Sequence, residues 1–153
     1  MSLHDSGNRS IRIAIAHAQF NRKVTDMLLA GCRRALEQAG LTEDQVDVFS
    51  VPGAWELPLA ARQLAAAERY DGIIALGAVV RGETAHFEFI SAECARGLQR
   101  VSLDSGLPVG FGVLTPENDE QAEERADPGR MDKGREAAAA VLAMIKLKQQ
   151  IAQ

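Results

Sequence analysis

No stretch of this chain approaches the ~18 continuous apolar residues that a membrane-spanning helix needs. Nor is there an excess of positive charge: 17 Lys and Arg stand against 21 Asp and Glu, a net charge of −4. A bulk attraction to nucleic acid or to an anionic membrane surface is therefore not expected. Cysteine is scarce. Cys32 and Cys94 are the two present, with no Cys/His spacing of the metal-binding kind. Both fall on apolar faces of expected helices and read as reduced core thiols of a cytoplasmic protein. Lys133-Gly134 is not a Walker loop, because the lysine precedes the glycine and no G-x-x-x-x-G-K string exists. The opening MSLHDSGNR has no apolar run of the signal-peptide kind. Residues 1–10, with His4, are read as a flexible N-terminal tail without a role, and residues 11–153 as a single domain. Internal repeats and low-complexity tracts are missing too.

What remains is an alternation of strand and helix. IRIAIAH (11–17), VDVFSV (46–51), GIIALGAVV (72–80) and PVGFGVLT (108–115) are short β-type runs. The third has no polar alternation, so both its faces should be covered, as in a parallel sheet. Between them, residues 22–39, 54–69 and 86–103 carry helical patterns. The first has the i, i+3, i+4, i+7 stripe of a one-face-buried helix, through Val24, Met27, Leu28, Cys32 and Leu36, with Gly40 as its stop. The second tolerates Pro58 only in its first turn. The third places Ile90, Cys94, Leu98 and Val101 on one side. A short acidic helix over 118–126 and a last helix over 132–150 complete the chain. The pattern implies an α/β fold: a four-stranded parallel sheet with right-handed crossovers and helices on both faces.

Ligands of such sheets bind beyond the carboxyl ends of the strands. That rule gathers the loops at 18–21, 51–56, 81–86 and 115–118. In GAVVRGETAHFEFI (77–90), a buried strand opens into a polar turn at a helix N-terminus, where backbone N–H groups can hold an anion. His86 follows, and an imidazole exchanges protons around neutral pH. Together they suggest chemistry on a phosphorylated or acidic small molecule. Taken singly, each residue keeps a mundane reading. Phe20 offers a stacking surface for a flat heterocycle or a hydrophobic staple beside an Asn21 N-cap. Glu56 holds a polyhydroxyl ligand or answers a helix dipole, and Trp55 is a core or interface anchor. Thr84 binds an anion or caps a helix. Arg81 is a surface charge. Arg125, after five acidic residues within 117–124, reads as the cation near the C-terminus of a solvated helix. Phe111, between Gly110 and Gly112, marks a close backbone approach, a ligand lying across the strand, or simple core.

In their order, FN (20–21), VPGAWELP (51–58), GAVVRGETAHFEFI (77–90), FGVLT (111–115), EQAEERA (120–126) and DKG (132–134) resemble the lumazine synthase family over residues 11 to about 146. The resemblance implies a flavodoxin-like three-layer α/β/α sandwich. It implies condensation of 5-amino-6-(D-ribitylamino)uracil with 3,4-dihydroxy-2-butanone 4-phosphate to 6,7-dimethyl-8-ribityllumazine, phosphate and water. No metal or organic cofactor is implied, and no nucleic-acid or membrane partner. By motif, Phe20 stacks on the pyrimidine. Ala54, Trp55 and Glu56 line the site, with Glu56 on the ribityl chain. Ala78, Val79 and Val80 give backbone contacts. Glu83 and Thr84 bind the phosphate with Arg125 as cationic partner. His86 transfers protons, Phe111 comes from a neighbouring subunit, and Lys133 contributes near the pyrimidine. A cytoplasmic homopentamer is implied. Trp55 stands where Phe, Tyr or Leu is usual. ADPGRMDKG (126–134) replaces the linker familiar in shell-forming members, which leaves a higher assembly open. A relative that binds flavin or lumazine without turnover is the alternative; His86, Arg125 and the intact phosphate turn speak against it. A flavodoxin-like electron carrier would carry its phosphate turn after the first strand, whereas here it follows the third.

Overall fold

The computed structural model describes residues 10–153, so nearly all of the expected tail, including His4, lies outside the described residues. The strands are β1 (Ile13–Ala18), β2 (Val46–Val51), β3 (Gly72–Ala78) and β4 (Val109–Leu114). All pair in parallel, in the order β2-β1-β3-β4. The helices are α1 (Arg22–Gln38), α2 (Leu57–Ala66), α3 (His86–Ser105), α4 (Asp119–Ala126) and α5 (Lys133–Ile151). Two cores flank the sheet. On one face Ile13, Ile15, Ile74 and Leu76 meet Leu28 and Leu36 of α1 and Val141 and Ile145 of α5. On the other, Ala16, Ile73, Ala75 and Val113 meet Leu57 and Ala61 of α2 and Cys94 and Leu98 of α3. This is the expected flavodoxin-like α/β/α sandwich. Every residue of β3 is buried, as its unbroken apolar run requires.

The two thiols occupy opposite cores, both free and buried. Burial pushes Cys32 up to about 12 and Cys94 to about 11, because a desolvated thiolate is disfavoured. Gly40 ends α1 as expected. It adopts φ 98°, its N–H donates to Glu37 O, and the Leu41 N–H donates to Leu36 O. Those bonds satisfy carbonyls that the last turn leaves open.

Two elements and one cap differ from the sequence expectation. The helix expected over 54–69 is a 3₁₀ turn at Ala54–Glu56 followed by α2. Pro58 lacks an N–H and therefore fits the first turn of the α-helix proper. At the far end Glu68 enters the left-handed region at φ 56°, beyond the last helical residue. The strand expected over 72–80 stops at Ala78, where pairing with Leu114 ends. Val79 and Val80 are thereby released from the sheet, half-buried. Finally, Asn21 is the N-cap of α1 but sits at φ 63°, ψ 49° without a side-chain cap bond. Asparagine is among the few residues that tolerate this conformation, so its value here is backbone geometry.

Candidate active site

The chain runs from β1 outward to β2, then crosses back to β3 on the other side of β1. That reversal opens a crevice at the carboxyl ends of β1 and β3. A cavity of about 500 Å³ lies there. The loop after β1 brings Phe20 and Asn21, and the loop after β2 brings Pro52, Gly53, Ala54 and Trp55. Ala78, Val79 and Val80 form part of the wall. The turn into α3 brings Gly82, Thr84 and His86, backed by Phe87 and Ile90.

The loops are pinned by backbone bonds. Gln19 N–H donates to Val51 O at 2.8 Å and Phe20 N–H to Pro52 O at 2.9 Å. Phe20 is thus fixed at its backbone while its ring stays 69% exposed. The staple reading of Phe20 fails for this chain, since a staple ring would be covered. Trp55 is 58% exposed and belongs to the cavity, not to the core. Two exposed aromatic rings at the edge of one crevice suit a flat conjugated ligand.

Beyond β3, Val79 N–H donates to Leu114 O at 2.8 Å and Arg81 N–H to Pro116 O at 3.0 Å. The turn that follows has open space at its centre, because a Cβ placed on Gly82 would meet nothing within 4 Å. Among the described residues, no hydrogen-bond acceptor faces the N–H groups of Gly82, Glu83, Thr84 or Ala85. Thr84 Oγ1 accepts the His86 N–H at 3.3 Å, so the capping reading of Thr84 holds in part. The turn leading into α3 therefore presents unsatisfied donors, at the positive end of the helix dipole, beside His86.

The structure brings Phe20, Ala54, Trp55, Ala78, Val79, Val80, Thr84 and His86 into this one cavity. Glu56 stands at its margin: a Cβ on Gly53 would lie 3.5 Å from Glu56 Oε1 and 3.7 Å from Phe20 Cβ. Glu83 is exposed in the turn without lining the cavity. Three residues lie outside it. Arg125, in the last turn of α4, donates to Gln121 O at 3.3 Å. Lys133, first in α5, pairs with Glu136 at 2.8 Å. Phe111 is 50% exposed on β4, an edge strand, so it is not core. The flanking glycines answer to a different face. A Cβ on Gly110 would stand 2.8 Å from Val141 Cγ2 and 2.9 Å from Ala137 O, and one on Gly112 would come 2.5 Å from Leu76 Cδ2. The close approach of α5 requires Gly110, and that of Leu76 and the Ala75 carbonyl of β3 requires Gly112, with Phe111 on the opposite side of the pleat.

Sequence reasoning took Ile90 as a core position and passed over Phe87, yet both line the cavity. Their signal was their place next to His86 and one turn beyond it on the same helix. It also overlooked His17, which is buried at the end of β1 with Nε2 3.2 Å from Asp26 Oδ1.

Comparison with known proteins gives the family. The chain is 48% identical over 142 residues to the 6,7-dimethyl-8-ribityllumazine synthase of Stenotrophomonas maltophilia (strain R551-3), covering 93% of this chain and 92% of that one. Identity to the enzyme of the same name from Sodalis glossinidius (strain morsitans) is 51% over 141 residues, 92% and 90% of the two chains. With that of Nitratidesulfovibrio vulgaris (strain DP4) it is 45% over 143 residues, 94% and 92%. A profile of the family matches residues 10–149. The chain belongs to the 6,7-dimethyl-8-ribityllumazine synthase family.

Proposed function

We propose that this chain condenses 5-amino-6-(D-ribitylamino)uracil with 3,4-dihydroxy-2-butanone 4-phosphate, as an enzyme of riboflavin biosynthesis. The observation that carries the reading is the single cavity in which an exposed Phe20 ring, the open turn at Gly82 and His86 converge. Phe20 and Trp55 hold the pyrimidine as stacking surfaces. Ala78, Val79 and Val80 line the cavity where the strand ends; Val79 N–H is held by Leu114 O, so the backbone groups that meet the ring's polar edges are those left free of the ladder. Glu56 accepts hydrogen bonds from ribityl hydroxyls. The phosphate is received by backbone N–H groups of Glu83 and its neighbours and by the Thr84 hydroxyl; the Glu83 carboxylate takes no part, since like charges repel.

The chemistry follows from those placements. The pyrimidine's primary amine attacks the ketone, and water leaves to give an imine. Loss of the proton from the hydroxyl-bearing carbon next to the imine then expels phosphate and leaves an enol, which tautomerises to a methyl ketone. The ribityl-bearing amine attacks that new carbonyl, and a second water leaves as the ring closes. Each step takes a proton from nitrogen or carbon and gives one to a leaving oxygen, which His86 performs in both directions. Fixed N–H donors stabilise the departing phosphate as its charge develops, and holding two substrates face to face supplies orientation.

Phe111, Arg125 and Lys133 lie outside the cavity of their own chain. A neighbouring copy supplies them: Phe111 closes the pyrimidine side, Arg125 reaches the phosphate and Lys133 stands near the ring. A cyclic homopentamer in the cytoplasm accommodates this, because head-to-tail contacts let every chain give one half-site and receive the other. The test is incubation of the purified protein with both substrates in the presence of a chelator. Product absorbance and green fluorescence above the spontaneous rate are expected. No excess over that rate would end the enzymatic reading.

A further inference from the structure

Arg81 is the one residue of the phosphate turn's entry that the reaction leaves without a task. Its guanidinium Nη1 contacts Glu88 Oε1 in the first turn of α3. Its Nε lies 2.7 Å from Glu117 Oε2, in the loop between β4 and α4. The same guanidinium covers the Phe87 ring at 4.4 Å from the centroid, and Phe87 lines the cavity. The backbone repeats the connection, since Arg81 N–H donates to Pro116 O at 3.0 Å. Val80 and Gly82, on either side of Arg81, line the cavity, whereas Arg81 does not. Its hydrogen bond is the main reason that Glu88's carboxyl is held below the ordinary range.

Two carboxylates on one guanidinium leave the group with no spare positive charge to offer an anion. An arginine meant to bind phosphate directly would face the open turn without such partners. The three attachments instead join the turn at 82–85 to two separate elements, the start of α3 and the loop after β4. We propose that Arg81 is a positioning residue: clamped between Glu88 and Glu117 on the Phe87 ring, it fixes the turn in the orientation that receives phosphate and does not bind phosphate itself. The proposal rests on the phosphate-receiving role given above to that turn.

The clamp and a direct ligand predict opposite signs for the carboxylate variants. If Arg81 is a clamp, Glu117→Gln loosens the turn as Arg81→Met does. Each should raise the KM for the butanone phosphate, and the Ki of inorganic phosphate, on the order of three- to tenfold, the scale of an exposed ion-pair network. The KM for the pyrimidine and kcat should stay within about twofold. The double variant should be no worse than the poorer single one, because one contact cannot be lost twice. Arg81→Lys should not restore affinity, since an ammonium cannot reach two carboxylates and lie flat on a ring. If Arg81 binds phosphate directly, Glu117→Gln frees the guanidinium and lowers the Ki. A lower Ki, additive effects in the double variant, or unchanged phosphate affinity in both singles would each overturn the clamp. Should Arg81→Met fail to fold, Glu117→Gln and Glu88→Gln carry the test, both at side chains more than half exposed. Titration calorimetry with inorganic phosphate reads the turn separately from turnover. A wild type that binds phosphate without forming product overturns the enzymatic reading alone; one that binds no phosphate overturns the clamp as well.

Discussion

Phe111 and Ala75 are register partners across β4 and β3; Ala75 is fully buried while Phe111 is 50% exposed. The same sheet face is thus sealed by α2 and α3 over β3 and left open at the edge. The proposed shared site uses that open edge, since Phe111, Arg125 and Lys133 all lie outside the cavity of their own chain. Phe111→Asp should lose most activity, because a carboxylate replaces an apolar surface in a closed pocket. His86→Ala should fold normally and lose activity toward the lower end of ~10²–10⁴-fold, the usual worth of positioned proton transfer. Refolding the two variants together should restore some sites, since a His86→Ala chain can lend Phe111 to a neighbour that still carries His86. Arg125→Ala should likewise be rescued by His86→Ala but not by Phe111→Asp, with which it shares a half-site. Mixed oligomers seen by native mass spectrometry, with activity no higher than the sum of the parents, would refute the shared site.

Gly82→Ala separates the turn's ligand role from its structural one. The added methyl enters space that no atom of the chain occupies, so the melting temperature should stay within about 2 °C. The methyl would instead occupy the room left for phosphate oxygens. The KM for the butanone phosphate should rise well beyond that for the pyrimidine. Steady-state kinetics with each substrate varied in turn provide the check; equal rises would detach Gly82 from phosphate recognition.

Asp47 gives stability a defined pH dependence. Tyr70 OH donates to its Oδ2 at 2.7 Å and Arg12 Nη2 donates at 3.2 Å. The Tyr70 hydrogen bond, ahead of Arg12, holds the Asp47 carboxyl below its ordinary range. A lowered folded pKa means stabilisation that is complete above the unfolded value, ~3.9, and lost as pH falls through the folded one. Asp47→Asn should therefore cost about 1 kcal/mol at neutral pH, shrinking toward zero in strong acid. Burial first, then Asp47, raises Tyr70, so its contribution disappears only as pH climbs above ~10. Urea unfolding at several pH values would show both limbs. An acid-independent difference between wild type and Asp47→Asn would contradict the assignment.

The cysteines supply a fourth expectation. With thiols pushed up to about 12 and about 11, almost no thiolate exists at pH 8, and the thiolate is the reactive form. A thiol reagent should leave the folded protein unlabelled for hours and modify both residues in denaturant. Rapid labelling of native protein, followed by peptide mapping, would show that one of the two helices opens readily.

Much of this protein was legible before its structure. Composition and the unbroken apolar run of β3 determined a parallel sheet covered on both faces, because burial of a strand leaves no room for polar alternation. The stripe on α1 and the stop at Gly40 follow from local backbone physics alone. Motif order carried the family, and the rule for open sheets carried the convergence of Phe20, Ala54 and His86. The sequence could not say which side of the pleat Phe111 takes, since alternation along a strand is readable but the partner of each face is not. Nor could it reveal that Gly110 answers to α5 and Gly112 to Leu76 of β3, or that β3 ends at Ala78, because strand ends depend on where pairing with β4 stops. Arg81 is the clearest case. In the sequence it is a charge before a glycine, and its partners lie 7 and 36 positions further on at Glu88 and Glu117. Only the fold, which sets the segment after β3 beside both the start of α3 and the loop after β4, closes that distance, and only then does a surface charge become a clamp.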